Sequence, residues 1–342
     1  MTSRVVLRCR LAAGWKQCSP RQCDRQTEST RGTEASSARA GVASGWAQRF
    51  IDAAARIPAN HDWNGLFPTA VHLAVLAGAE DVVVEGTGII VDIMNAYGVT
   101  AAFDAGVISE GAQVSTILDR LEDAGELTLR LVGSYRPAGA DEADVAVENA
   151  KAWAATVKGD NYHYNVLKIM DDGTVEGRTA AMFEDYQGEP GNSGETVFTE
   201  EQMTAMITGA AAENIDVHVH ALGERAIHET LNAIEAARTA HPDTDSRFAI
   251  CHIQVITDQD VPRFGELDVI AQSTPLWASY DTYGEQFVSA DQFQRFWRFR
   301  SLEEAGARLT FGSDFPASGA GTLGLSPLVH KTFVEHFGER YV

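Results

Sequence analysis

The sequence predicts an α/β fold, a (β/α)8 barrel, and three observations carry that expectation. Seven short β-type runs recur along the chain, helical patterns fill the intervals, and no phosphate-binding glycine motif opens any of those helices. Strands alternating with helices make a parallel sheet covered by helices, and seven such units suit a barrel better than a doubly wound sheet. Gly86-Thr-Gly88 is only a fragment of the G-x-G-x-x-G pattern, so a dinucleotide site is not expected.

In chain order the β-type runs are 99–105 (VTAAFDA), 127–135 (LTLRLVGSY), 164–170 (YNVLKIM), 215–220 (IDVHVH), 248–252 (FAICH), 269–274 (VIAQST) and 309–313 (LTFGS). Between them, Thr199 and Gln202 have capping-box spacing, as do Ser301 and Glu304. Over 223–239, Ala226, Ile227, Leu231, Ile234 and Ala237 fall along one helical face. Gly306 is placed to end a short helix just before the last strand. The segment 183–198 (FEDYQGEPGNSGETVF), rich in glycine and acids, reads as a loop inserted at a barrel rim.

Composition narrows the function. With 44% hydrophobic and 22% charged residues, the 342-residue chain is globular rather than disordered. A net charge of −21 argues against nucleic acid as a partner, because neutralising phosphates needs a basic face. No run of 18 apolar residues is available to span a membrane. The five lysines, Lys16, Lys151, Lys158, Lys168 and Lys331, and the acid excess suit either a salt-rich cytoplasm or an ordinary acidic surface. Cys9, Cys18 and Cys23 crowd the first 23 residues and Cys251 stands apart, which is neither a disulfide framework nor a zinc spacing; a reducing cytoplasm is the expected compartment. Residues 1–40 carry eight basic and three acidic side chains, against 19 and 45 in the rest. They read as an atypical basic tail, disordered or non-native in origin, with a targeting peptide as the alternative, ahead of a barrel region over 41–342.

Ionisable residues punctuate the C-terminal ends of the predicted strands: Asp104, Lys168, His220, His252 and Asp314. In a barrel that edge is where active sites are built. Lys168 to His220 is 52 residues, one unit plus the 183–198 insertion; His220 to His252 is 32, one unit; His252 to Asp314 is 62, two units. A lone strand-end histidine is more often polar surface than a ligand, and Asp314 has the bland reading of a turn carboxylate or helix cap. Lys168 is harder to dismiss, since it lies between Leu167 and Ile169 in a strand expected to be buried on both faces. In the strand DVHVH, Val217 and Val219 should face the helices, and His218 and His220 the interior. His220 lies at the rim, as a ligand; His218 lies about 7 Å deeper, in the core or behind the ligands.

Five segments together resemble the metal-dependent amidohydrolase superfamily, and most closely its amidohydrolase-3 branch, which includes N-substituted formamide deformylases. They are GVTAAFDAG (98–106), LKIMDDGTVEGRTA (167–180), VHVHALGERAIHETLNAIEAAR (217–238), RFAICHIQVITDQDVPRF (247–264) and LTFGSDFPAS (309–318). The resemblance implies a barrel of the triosephosphate-isomerase type beside a small β-sandwich, with one or two divalent metals, usually zinc. It makes Lys168 the strand-4 lysine, carboxylated where two metals are bridged, His220 and His252 the strand-5 and strand-6 ligands, and Asp314 the strand-8 aspartate that binds metal and moves a proton. Arg178 and Thr179, at the rim after strand 4, are expected to contact substrate. Neutral imidazoles suit zinc, which lowers the pKa of bound water to about 7.

This sequence departs from the pattern in having no His-x-His before Lys168, only His61, His72 and His163, and in carrying Gly223-Glu224-Arg225 where the family has Gly-Asp-Arg. It also has 28 residues after Asp314, too few for the family's closing helices and sandwich strands. The expectation is therefore an incomplete barrel, strands 2 to 8, with the small domain largely missing. The expected function is metal-assisted hydrolysis of non-peptide carbon–nitrogen bonds, in small amide or formamide substrates. The alternatives are a catalytically inactive fragment and a phosphoester or lactone hydrolase on the same barrel.

Overall fold

The computed structural model describes residues 8–11, 14–17, 80–107, 111–278 and 283–314. The chain divides into two compact units, Met1–Trp63 and Asn64–Val342. In the first, β1 (Arg8–Leu11) and β2 (Gly14–Gln17) pair antiparallel. No strand was expected there, because four-residue strands are too short to show a period; the rest of residues 1–40 lies outside the described residues, as do His61 and His72.

In the second unit seven parallel strands form one sheet in strict chain order: β3 (Ala101–Val107), β4 (Arg130–Tyr135), β5 (Tyr162–Met170), β6 (Asp216–Ala221), β7 (Phe248–His252), β8 (Val269–Ser273) and β9 (Arg308–Phe311). Each predicted run overlaps one of them. Neighbour-to-neighbour order with every connection crossing on a helix is the wiring of a barrel wall. Among the described residues β3 and β9 do not pair, so the sheet is a curled, open part-barrel.

Helices α1 (Glu80–Ala96), α2 (Gly111–Asp123), α3 (Ala146–Thr156), α4 (Glu200–Ala212), α5 (Glu224–Ala240), α6 (Val261–Glu266), α7 (Pro275–Ala278), α8 (Ala290–Phe293) and α9 (Phe299–Glu304) complete the order. Gly86 and Gly88 lie inside α1 rather than in a phosphate loop. Thr199 caps α4 with Gln202 in a full capping box. The pairing expected of Ser301 and Glu304 is not made: Ser301 lies inside α9, which starts two residues earlier at Phe299. A box not expected from the sequence, Ser289 with Gln292, starts α8. Gly306 does end α9, at φ +90°, where its N–H and that of Ala307 close a Schellman turn onto Glu303 and Leu302.

The main core lies between sheet and helices. Leu167, Ile169, Val217, Val219, Phe248 and Ile250 from the strands meet Ile207, Ile227, Leu231 and Ile234 from α4 and α5, all buried. A second core caps the C-terminal rim, where Val175, Met182, Tyr186, Leu222, Val255, Phe296 and Trp297 pack together. The segment 183–198 is a rim loop without helix or strand, and Tyr186 and Phe198 anchor it by burial.

Candidate metal centre

Lys168 faces the interior because β5 carries a bulge. Gly133 pairs with Tyr164, yet the next residue, Ser134, pairs with Val166, leaving Asn165 as the extra residue. Without it, strict alternation would set Lys168 on the face of Tyr162 and Tyr164, which pack in the helix-side core. With it, Leu167 and Ile169 take that face, and Lys168 turns to the opposite one, level with His218 in the register. Buried Lys168 approaches His218 Nδ1 at 2.9 Å and donates to Cys251 Sγ at 3.2 Å. Burial lowers its pKa from the usual lysine value, against the pull of Cys251 and Asp314.

His218 and His220 share that interior face, as alternation predicted, with Val217 and Val219 in the helix-side core. His218 meets Phe103 edge-on, ring centroids 5.0 Å apart. His220 is level with Cys251 in the register, so the cysteine too looks inward. His252, the next residue, would alternate away. Instead it adopts φ +76°, followed by Ile253 at +52°, a left-handed break that non-glycine residues adopt at some cost. The break carries the His252 ring over the rim, 4.6 Å from the His220 ring and stacked on Trp277 at 5.0 Å.

His220, Cys251 and His252 each offer a ligating atom, and these atoms lie within 4.8 Å of one another. Burial depresses all three interior histidines, His220 to about 3, so each is a neutral imidazole at neutral pH. His252 Nδ1 is buried without a hydrogen-bond partner. A buried nitrogen left unpaired is costly, and a metal is one group that satisfies it. The donors present therefore suit a divalent cation of the zinc type.

Asp172 supports the site from the loop after β5. Its buried carboxylate accepts from Leu222 N at 3.0 Å, Gly223 N at 2.8 Å and Ala181 N at 3.0 Å, and Oδ1 lies 3.6 Å from His220 Nε2. It thereby ties β5, the β6–α5 turn and the rim loop into one joint. Burial raises Asp172 to about 7 despite these donors, and raises Asp171 to about 8, with the Asp172 charge adding to the effect.

The other expected residues fall in different places. Asp314 follows β9 with an exposed side chain at φ +50°; partial desolvation raises its pKa and Lys168 pulls it back. Asp104 does not join the interior: it shares the helix-side face with Ala102, and its carboxylate accepts from the Tyr164 hydroxyl at 2.7 Å. Phe103 takes the interior place instead. Arg178 pairs with Glu189 and covers the Phe287 ring at 5.3 Å, and Thr179 Oγ1 accepts from Thr174 N at 3.1 Å, so both brace the rim loop. Cys251 was missed by spacing arguments; the signal was its position two residues after Ala249 on the inward-facing side of β7.

The family model described as the amidohydrolase family matches residues 31–323. The chain belongs to that family. A stretch of 189 residues is 28% identical to YtcJ, an amidohydrolase-family protein of Bacillus subtilis (strain 168), covering 54% of this chain and 35% of that protein. Another of 154 residues is 29% identical to the Arabidopsis thaliana protein LONG AFTER FAR-RED 3, covering 44% of this chain and 26% of that one. The fold is similar to that of a metal-dependent hydrolase from Pyrococcus furiosus, with TM-score 0.55 at 23% identity over 67% of this chain and 45% of that chain. The chain thus matches about a quarter to a third of the length of these curated relatives, and under half of the solved one.

Proposed function

We propose that the chain carries the metal half-site of a hydrolase acting on non-peptide carbon–nitrogen bonds, with amides and formamides as substrates. The observation that carries this reading is the convergence of His220, His252 and Lys168 on one rim of an amidohydrolase-family barrel, with an unpartnered His252 Nδ1 among them. The histidines are the ligands in this reading, with Asp314 as a further ligand from β9. The described residues hold one group of three close donors, His220, Cys251 and His252. Lys168 carboxylation needs a neutral amine, which burial favours.

A bound zinc ion supplies Lewis-acid polarisation of the substrate carbonyl and makes water acidic near neutral pH. The chain supplies the remainder. Asp314 takes the proton of the attacking water and passes it to the leaving nitrogen. Trp277, stacked on His252, holds that ring in place and covers it from solvent. Asp172 fixes the backbone that carries His220.

The test is a panel of formamides, amides, phosphotriesters and lactones offered to the zinc-loaded chain. Hydrolysis of the carbon–nitrogen substrates, falling by about 10²–10⁴-fold in Asp314→Asn, is expected. Turnover confined to phosphotriesters or lactones would replace this reading with the ester-hydrolase one.

A further inference from the structure

Beyond the ligands that the family resemblance supplies, we propose that Cys251 is itself a metal ligand, so that the centre is a His220–Cys251–His252 set with a thiolate in it and Lys168 as the hydrogen-bond donor to that sulfur. The inference rests on the metal-binding reading above and adds a residue and a ligand type to it.

Three observations carry it. First, Cys251 is level with His220 across the β6–β7 ladder, and its ligating atom falls within the same 4.8 Å group as those of His220 and His252. It is the described donor that shares this group with the two histidines; the Asp314 carboxylate does not. Second, the His252 Nδ1 nitrogen is more than nine-tenths buried and unpartnered, so the cluster has an unmet need at its centre. Third, Lys168 reaches up one layer from its register partner His218 to place Nζ 3.2 Å from Cys251 Sγ. At that distance Lys168 Nζ donates a hydrogen bond to the sulfur, the kind of partner that a metal-bound thiolate takes.

The chemistry is consistent. Catalytic zinc sites take three protein ligands and keep a fourth position open, and mixed Cys/His sets are among them. Binding of the cation displaces the thiol proton to solvent, because a coordinating thiol is deprotonated outright. The soft sulfur ligand favours zinc or cobalt over magnesium, calcium or manganese. It also offers a negative ligand in a strand-to-strand position where the neighbouring donors are neutral imidazoles.

Cobalt(II) replacement reads this directly, without any assay of activity. The metal-free full chain, titrated with cobalt(II), should develop a sulfur-to-cobalt charge-transfer band in the near ultraviolet together with visible bands of a tetrahedral ion. Zinc-loaded protein should show a zinc–sulfur distance of about 2.3 Å by X-ray absorption. Cys251→Ser should lose the charge-transfer band and bind cobalt at least about tenfold more weakly. If that variant does not fold, a chain with Cys9, Cys18 and Cys23 all replaced by serine serves instead; it must keep the band, since Cys251 is then its only sulfhydryl. Stoichiometric cobalt with visible bands but no charge-transfer band in the wild-type chain would overturn the proposal and leave the histidine reading standing. Absence of bound cobalt, judged at a concentration that fills the site of a control zinc hydrolase, would overturn both. A band that survives in Cys251→Ser would overturn the assignment of the sulfur to this residue.

Discussion

Asp172 sits at the joint between sheet and site, and replacing it with asparagine sets two effects against each other in a way that pH separates. Burial raises its pKa from 3.8 to about 7, despite three backbone N–H donors. Between those values the native chain holds a proton that the unfolded chain has released. The stability contributed by the group is therefore complete below the unfolded value and is lost as pH rises through about 7. The shift corresponds to about 4 kcal/mol. Asparagine does not titrate. It keeps one oxygen for the donors Gly223 N and Ala181 N and turns its NH2 toward Leu222 N, at a cost of about 1–3 kcal/mol at every pH. Urea unfolding of the metal-free proteins should thus find wild type the more stable near pH 4. By about pH 8 the variant should have gained about 4 kcal/mol relative to it, reversing the order. Asp171, raised in part by the Asp172 charge, is relieved in the same direction. A difference between the two proteins that does not change with pH would refute the reasoning, because the three N–H donors would then be holding the carboxylate at an ordinary pKa.

Three further outcomes follow from the same geometry. His220 is depressed from 6.5 to about 3 by burial, with Lys168 adding to it, so its contribution is present above 6.5 and lost as pH falls through about 3; His220→Gln should reduce the slope of stability against pH between those values by about 1.4 kcal/mol per unit, read by chemical denaturation. A Cβ at Gly223 would lie 2.1 Å from the Ala181 carbonyl oxygen and against its backbone, so Gly223→Ala should cost about 3 kcal/mol or more, visible as a large fall in Tm, and an unchanged Tm would contradict that packing. Thr199→Ala should cost about 1 kcal/mol through the lost capping box, whereas Ser301→Ala, inside α9, should stay within about 0.5 kcal/mol; denaturation midpoints distinguish the two.

Much of the fold was legible because a parallel barrel repeats one pattern. Short β-type runs alternated with helical patterns along the chain, so all seven strands of the sheet were placed to within a few residues. The inward direction of His218 and His220 followed from alternation alone. What remained hidden were the breaks in alternation. The bulge at Asn165 decides which face Lys168 takes, and no turn residue marks it. The left-handed backbone at His252 brings an outward residue over the rim, again without a glycine to signal it. Asp104 shows the converse error: it ends a strand like the others, but pleating sends it to the helix side and Tyr164. Ser301 had capping-box spacing, yet Phe299 and Leu302 are buried on α9 and the helix begins earlier, so packing overrode the local signal. Cys251 was passed over because cysteines were weighed by count and spacing along the chain, while its partners come from other strands.

The central claim is that His220 and His252, with the side chains around them, hold a divalent cation, and metal content measures it most directly. The purified chain, freed of metal by chelation, reloaded with zinc and dialysed, should retain about one equivalent by mass spectrometry of the metal. His220→Ala and His252→Ala should each lose most of it while keeping the wild-type circular dichroism. Less than about a tenth of an equivalent in the folded wild-type chain, under conditions that fill structural zinc sites, would contradict the account.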